Sequence, residues 1–224
     1  MKTLKALAIA IPVGIGLIGS GHSLAGSVDA RARAAMPARV GSVYMLRGLL
    51  GISGGIDEVA AELNGLGVRA TVHEHSDWLA IAEAIEARYR AQPEREPIIL
   101  VGFSLGGNDV IQLSRHLGAA GIPVDLLVTL DPTIPPSVPA NVAQAVDLYQ
   151  NRAGFRGVPL VADAGFRGGL VNRNLSGLPG IEHHNFPVRP EVRREVVARV
   201  LQVARPRAAR PNRHMARRGQ GRRG

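Results

Sequence analysis

The chain has 224 residues, 46% of them hydrophobic, which is enough to bury one sizeable core but short for two. It contains no cysteine, and this excludes disulfides, a thiol nucleophile and a zinc–thiolate centre. The formal charge of +9 is concentrated at one end: eight arginines lie between Arg205 and Arg223 with no acidic residue among them, and without those eight the charge is near +1.

Lys2 and Lys5 flank the start of an apolar stretch from Leu4 to Ile18, broken by Pro12 and followed by Ser23-Leu24-Ala25. This pattern predicts a secretory signal over residues 1–25 and an exported protein, periplasmic or secreted. An uncleaved signal would instead leave a membrane anchor, but the apolar run falls short of the roughly 20 residues that span a bilayer. Residues 26–38 are small, polar and basic and read as a linker into a single domain over 39–204.

Val40 to Leu46 reads as a strand, and Arg47 to Gly55 as a glycine-rich loop leading into a helix. That helix buries Ile56, Val59, Ala60 and Leu63 at a period of about 3.6, carries Asp57 and Glu58 in its first turn, and ends at Gly65 and Gly67. Val68 to His75 forms the next strand. Asp77 is placed to cap a second helix, with Trp78, Ile81, Ala82, Ile85 and Tyr89 on one face and Pro93 ending it.

A third strand, Ile98 to Val101, runs into a helix marked by Val110, Ile111, Leu113 and Leu117. Val124 to Leu130 is another aliphatic run and ends in Asp131-Pro132; Pro135, Pro136 and Pro139 then make a rigid loop before a strand over Val142 to Tyr149. Residues 150–180 are glycine-rich with little periodicity, and a short strand or two among loops is expected there. The last helix starts near Pro190 and buries Val192, Val196, Val200 and Val203. Strands alternating with helices of this length predict an α/β fold, a mostly parallel sheet with helices on both faces, compact and without a large lid. Residues 205–224 read as a disordered Arg-rich tail. It is either a solvated extension or a weak contact for an anionic surface such as lipid headgroups. Without stacking aromatics or a recognition helix, no specific nucleic acid is expected.

The sharpest chemical signal is Gly102-Phe103-Ser104-Leu105-Gly106, set between an apolar strand and a helix. A strand that stops at a serine and turns at once into a helix forces that serine into a cramped backbone, which only small residues two positions away tolerate. The turn exposes the hydroxyl and aims the Leu105 amide, at the helix start, toward an oxyanion. Serine then needs a base, and the base needs a carboxylate that fixes its tautomer. Asp131 closes the strand that follows, 27 residues after Ser104. The base is expected in the loop Gly180-Ile181-Glu182-His183-His184-Asn185-Phe186; His183 is the first choice, with His184 the alternative.

A second oxyanion donor is expected from the Leu49 amide, on the loop after the first strand. Leu50, Ile52 and Ile134 are placed at the walls of an open cleft for short or medium acyl chains. His73 and His75 alternate along one strand, but no metal and no cofactor is expected. From Val40 to Val203 the chain resembles the α/β-hydrolase superfamily, on the strength of the serine turn, Asp131 and the His183/His184 loop. An acid placed directly after the strand that follows the nucleophile is similar to the thioesterase and lipase-like branch. The resemblance implies a serine hydrolase acting on a small-molecule ester or thioester. An acyltransferase using the same serine, or a binding protein that keeps the fold without the chemistry, are the alternatives. Arg47-Gly48 stands where many relatives have His-Gly, so Arg47 is expected either to bind a substrate carboxylate or orient the oxyanion loop, or else to form a salt bridge or face the surface.

Overall fold

The computed structural model describes residues 38–51, 55–92, 94–152 and 155–207. Six strands form one parallel sheet: β1 (Ser42–Leu46), β2 (Arg69–His73), β3 (Ile98–Phe103), β4 (Leu126–Leu130), β5 (Gln144–Tyr149) and β6 (Gly169–Asn174), in the spatial order β2-β1-β3-β4-β5-β6. Every neighbouring pair is parallel, with Met45 opposite Val101 and Gly102 opposite Thr129 in the centre. Parallel neighbours need long crossovers. Helices α1 (Ile56–Gly65), α2 (Trp78–Ala91) and α3 (Leu105–Ala119) supply the first three, and α4 (Pro190–Val203) closes the domain.

Alternation along the strands divides the core between the two faces. Val43, Met45, Ile99, Val101, Phe103, Val128 and Leu130 pack with Ile56, Val59 and Leu63 of α1 and Val192, Val196 and Val200 of α4. Leu46, Leu100 and Leu127 pack on the other side with Ile81 and Ile85 of α2 and Val110, Ile111, Leu113 and Leu117 of α3. All six residues of β3 are buried, as its aliphatic run requires for a central strand covered on both faces. At about 1.5–3 kcal/mol for each fully buried aliphatic side chain, this two-sided layer is the main stabilising element.

Several boundaries differ from the sequence reading. The first strand starts at Ser42, because Arg39–Val40 turn away to pair antiparallel with Arg205–Pro206. Arg205 to Arg207 therefore belong to the folded part, with the Arg207 amide donating to the Ala38 carbonyl, and only residues from 208 of the expected tail lie outside the described residues. The expected signal and most of the linker lie outside them too. Asp77 stands at the start of α2 but makes no capping bond with its side chain. Val142 makes only an isolated bridge to Val124, so the fifth strand begins at Gln144.

Among the described residues no helix crosses between β4 and β5 or between β5 and β6, unlike the first half of the chain. Prolines at 132, 135, 136 and 139 deny the first of these connections a helix, because each removes an amide donor and crowds the preceding turn. β6 is an edge strand with most of its residues exposed, which is why it carries no apolar signal in the sequence. Among the described residues no helix is long and apolar enough to cross a membrane.

Candidate active site

The carboxyl ends of β1, β3 and β4 lie at one edge of the sheet, and each opens into a loop carrying a residue singled out above. Ser104 follows β3 directly and has φ 57° and ψ −120°. A non-glycine residue at positive φ is strained and persists only where its surroundings over-determine it. Here the Ser104 amide donates to the Leu130 carbonyl at 2.9 Å, and the Gly107 amide donates to the Ser104 carbonyl at 2.9 Å.

The flanking glycines follow from contact. A methyl group on Gly102 would lie 2.1 Å from the Gly106 carbonyl oxygen, and one on Gly106 would lie 2.4 Å from the carbonyl oxygens of Leu46 and Arg47. The start of α3 is thus wedged against the Leu46 and Arg47 carbonyls at the end of β1. Leu105 is the first residue of α3, where amides have no partner within the helix. Leu49 opens a short 3-10 turn, Leu49–Gly51, in which Leu50 takes φ 56°.

Asp131 follows β4 directly, is fully buried and also has positive φ, at 49°. Its amide donates to the Leu148 carbonyl at 2.8 Å. Gln150, just past β5, holds the carboxylate twice: its backbone N–H donates to Oδ1 at 3.1 Å and its side-chain Nε2 donates to Oδ2 at 3.2 Å. Nothing in the sequence pattern marks Gln150 for this task.

His183 begins a 3-10 turn, His183–Val188, anchored by buried Phe186 and Pro187. A reciprocal capping pair between Glu182 and Asn185 fixes the entry to that turn, and Asn185 also donates to the Gly180 carbonyl at 3.1 Å. The imidazole reaches Asp131 Oδ2 from Nδ1 at 2.7 Å and Ser104 Oγ from Nε2 at 2.9 Å. An ionised carboxylate only accepts, so the proton belongs on Nδ1, and Nε2 accepts the serine hydroxyl. Phe103 packs against the ring, with centroids 5.0 Å apart. His184 points outward, 74% exposed, toward Glu182 at 3.3 Å. Of the two adjacent histidines, the turn brings His183 to Ser104 and Asp131 and leaves His184 beside Glu182.

Other expectations take different positions. Arg47 is engaged in a salt-bridge fork, with Nη2 2.5 Å from Asp57 Oδ1 and Nη1 2.8 Å from Glu74 Oε1. The Asp57 bond outweighs partial burial and raises the arginine further above its usual range. His73 bonds Thr71, while His75 lies past the end of β2 and meets Asp109 of α3 at 2.8 Å, so the two histidines do not share a strand face. Leu50 and Ile134 are 87% and 85% exposed, and Ile52 lies outside the described residues. Next to the serine turn on α3, Asn108 bonds Thr133 in the segment after β4 and Asp109 bonds His75 beyond the end of β2.

A second buried carboxyl, Asp147 of β5, stands in line with Thr129 of β4, whose hydroxyl donates to its Oδ1 at 2.7 Å. Among the described residues no group lies in hydrogen-bond geometry to its buried Oδ2. Burial pushes this group up to about 7. The Thr129 hydroxyl and the nearby Leu160 amide act in the opposite direction, and the Asp131 charge adds to the rise.

No family model and no curated protein matches this chain. Among solved structures, human thioesterase 2 superposes with a TM-score of 0.51 at 12% identity, over 73% of this chain and 95% of that one. The fold is that of the α/β-hydrolases. A thioesterase from the prodiginine biosynthetic pathway of Streptomyces coelicolor is similar at TM-score 0.47 and 13% identity, over 75% and 91% of the two chains. An acetylxylan esterase is similar at 0.38 and 17%, over 74% and 99%. Ser104 occupies the turn from β3 into α3, Asp131 the end of β4 and His183 the turn before α4.

Proposed function

We propose that this protein is a serine hydrolase that cleaves a carboxylic ester or thioester of a small molecule through an acyl-enzyme on Ser104. The observation that carries the reading is the continuous path from the buried Asp131 carboxylate through the His183 imidazole to the Ser104 hydroxyl, with links of 2.7 and 2.9 Å. Ser104 attacks the carbonyl carbon while His183 takes its proton, and the Asp131 carboxylate stabilises the resulting imidazolium. The Leu105 amide, and with it the Leu49 amide, donates to the oxyanion. Return of the proton expels the alcohol or thiol. Water, activated by the same imidazole, then attacks the acyl-enzyme, and collapse frees the acid and restores the serine. The thioesterase and esterase neighbours are in keeping with this chemistry through their fold.

A fluorophosphonate probe, together with a panel of p-nitrophenyl esters and acyl thioesters, tests the proposal. Labelling at Ser104 and hydrolysis of at least one panel class are expected. Ser104→Ala should abolish labelling and lower turnover by about 10³-fold or more while leaving the fold intact. A protein that turns over the panel equally well without the Ser104 hydroxyl would overturn the reading.

A further inference from the structure

The segment after Asp131 has an unusual need for support. Asp131 takes positive φ, the next five residues include Pro132, Pro135 and Pro136, and no helix or strand follows until Gln144. The amides of Thr133 and Ile134 therefore have no ladder to join. One side chain satisfies both. Asn108, in the first turns of α3 and four residues after Ser104, accepts from the Thr133 amide at 3.2 Å and from the Ile134 amide at 3.3 Å through Oδ1; its Nδ2 donates to Thr133 Oγ1 at 2.6 Å. Pro132 lies against neighbouring Gly107, where an added methyl would come within 3.1 Å of it.

We infer that Asn108 is a positioning residue that fastens the acid's loop to the nucleophile's helix and so keeps the Asp131 carboxylate on His183. The inference rests on the serine hydrolase reading. Gln150 holds the carboxylate from the β5 side, whereas Asn108 holds the chain that leaves it, and the two fix the strained residue from opposite directions. The chemistry of position 108 is narrow. Its side chain must accept from two backbone amides and satisfy a hydroxyl at short range, and an aspartate does the same once the Thr133 hydroxyl turns to donate. Leucine fills the volume and makes none of these bonds. Asn108 touches none of the reacting atoms in this arrangement, and its effect passes through Asp131.

The test uses the full chain, with p-nitrophenyl acetate for steady-state kinetics and the rate of fluorophosphonate capture as a second readout. Asn108→Leu is expected to lower kcat about 10- to 100-fold with KM within about twofold, because alignment and not binding is lost. Asn108→Asp is expected to stay within about threefold of the unmodified protein. In an Asp131→Asn background, Asn108→Leu should slow capture by less than about twofold, since a residue that acts through the carboxylate has nothing further to remove. If Asn108→Leu does not fold, Thr133→Val removes one of the three bonds at constant shape and should lower kcat about three- to tenfold, again only where Asp131 is present.

A normal kcat in Asn108→Leu overturns the inference. So does a loss of equal size in both backgrounds, or an Asn108→Asp protein as impaired as Asn108→Leu. Where the unmodified protein is labelled at Ser104, these results bear on Asn108 alone; an unmodified protein that is neither labelled nor active overturns the hydrolase reading and this inference with it.

Discussion

Gly106 meets the Leu46 carbonyl so closely that a methyl group built on it would lie 2.4 Å from the oxygen. The glycine after the serine is therefore set by the end of a neighbouring strand as much as by the turn itself. Gly106→Ala is expected to push α3 away from β1, costing about 1–3 kcal/mol of stability and, under the hydrolase reading, moving the Leu105 amide off the oxyanion. Urea unfolding and fluorophosphonate capture measured on one preparation check this. Unchanged stability together with an unchanged capture rate would contradict the close contact.

Gln150→Leu leaves the backbone amide bond to Asp131 Oδ1 and deletes the side-chain bond to Oδ2. A hydrogen bond to a buried carboxylate contributes about 1.5–3 kcal/mol, so a destabilisation of that order and a kcat loss of about tenfold are expected. The comparison is best made by kcat on a saturating ester, where binding differences drop out.

The two adjacent histidines should separate cleanly. His183→Ala removes the group bonded to both Ser104 and Asp131 and is expected to reduce kcat by about 10³-fold or more. His184→Ala trims an exposed side chain whose described partner is Glu182, and it should stay within about threefold of the unmodified protein. Equal losses in both variants would mean that the turn presents a different imidazole in solution.

Asp147 gives a stability signature with a definite sign. Its folded value, raised to about 7, exceeds the unfolded value of about 3.9. The folded state thus holds an extra proton between those two values, and stability falls as pH rises through that window, then levels off above it. Asp147→Asn keeps an acceptor for the Thr129 hydroxyl and has no charge to bury. It should equal the unmodified protein near pH 4 and be more stable by about 1–3 kcal/mol at pH 8, read from urea midpoints at the two pH values. A parallel pH dependence in both proteins would rule out Asp147 as its source.

Much of the fold can be read from the chain because its central elements obey simple periods. β3 is an unbroken aliphatic run, and α1 buries the four apolar residues its spacing predicts. The serine turn and the aspartate at the next strand end are legible for a related reason: each sits where a strong apolar pattern stops, so position alone marks it. Between β4 and β6 the pattern fails. The connections there are irregular, and β6 is an edge strand held by backbone pairing with little apolar burial. Gln150 and Asn108 escape a sequence reading for another reason. Each is a polar residue whose partner lies 19 to 26 positions away, and no local periodicity encodes such a contact.

The order of the chain has a temporal consequence. Ser104 and Asp131 sit on neighbouring strands in the middle of the sequence, whereas His183 rides on a turn whose buried Phe186 packs into the face shared by α1 and α4. A growing polypeptide can assemble the hydroxyl and the carboxylate long before the imidazole arrives. Under the hydrolase reading, nascent chains stay inert, and reactivity appears only when the final helix docks.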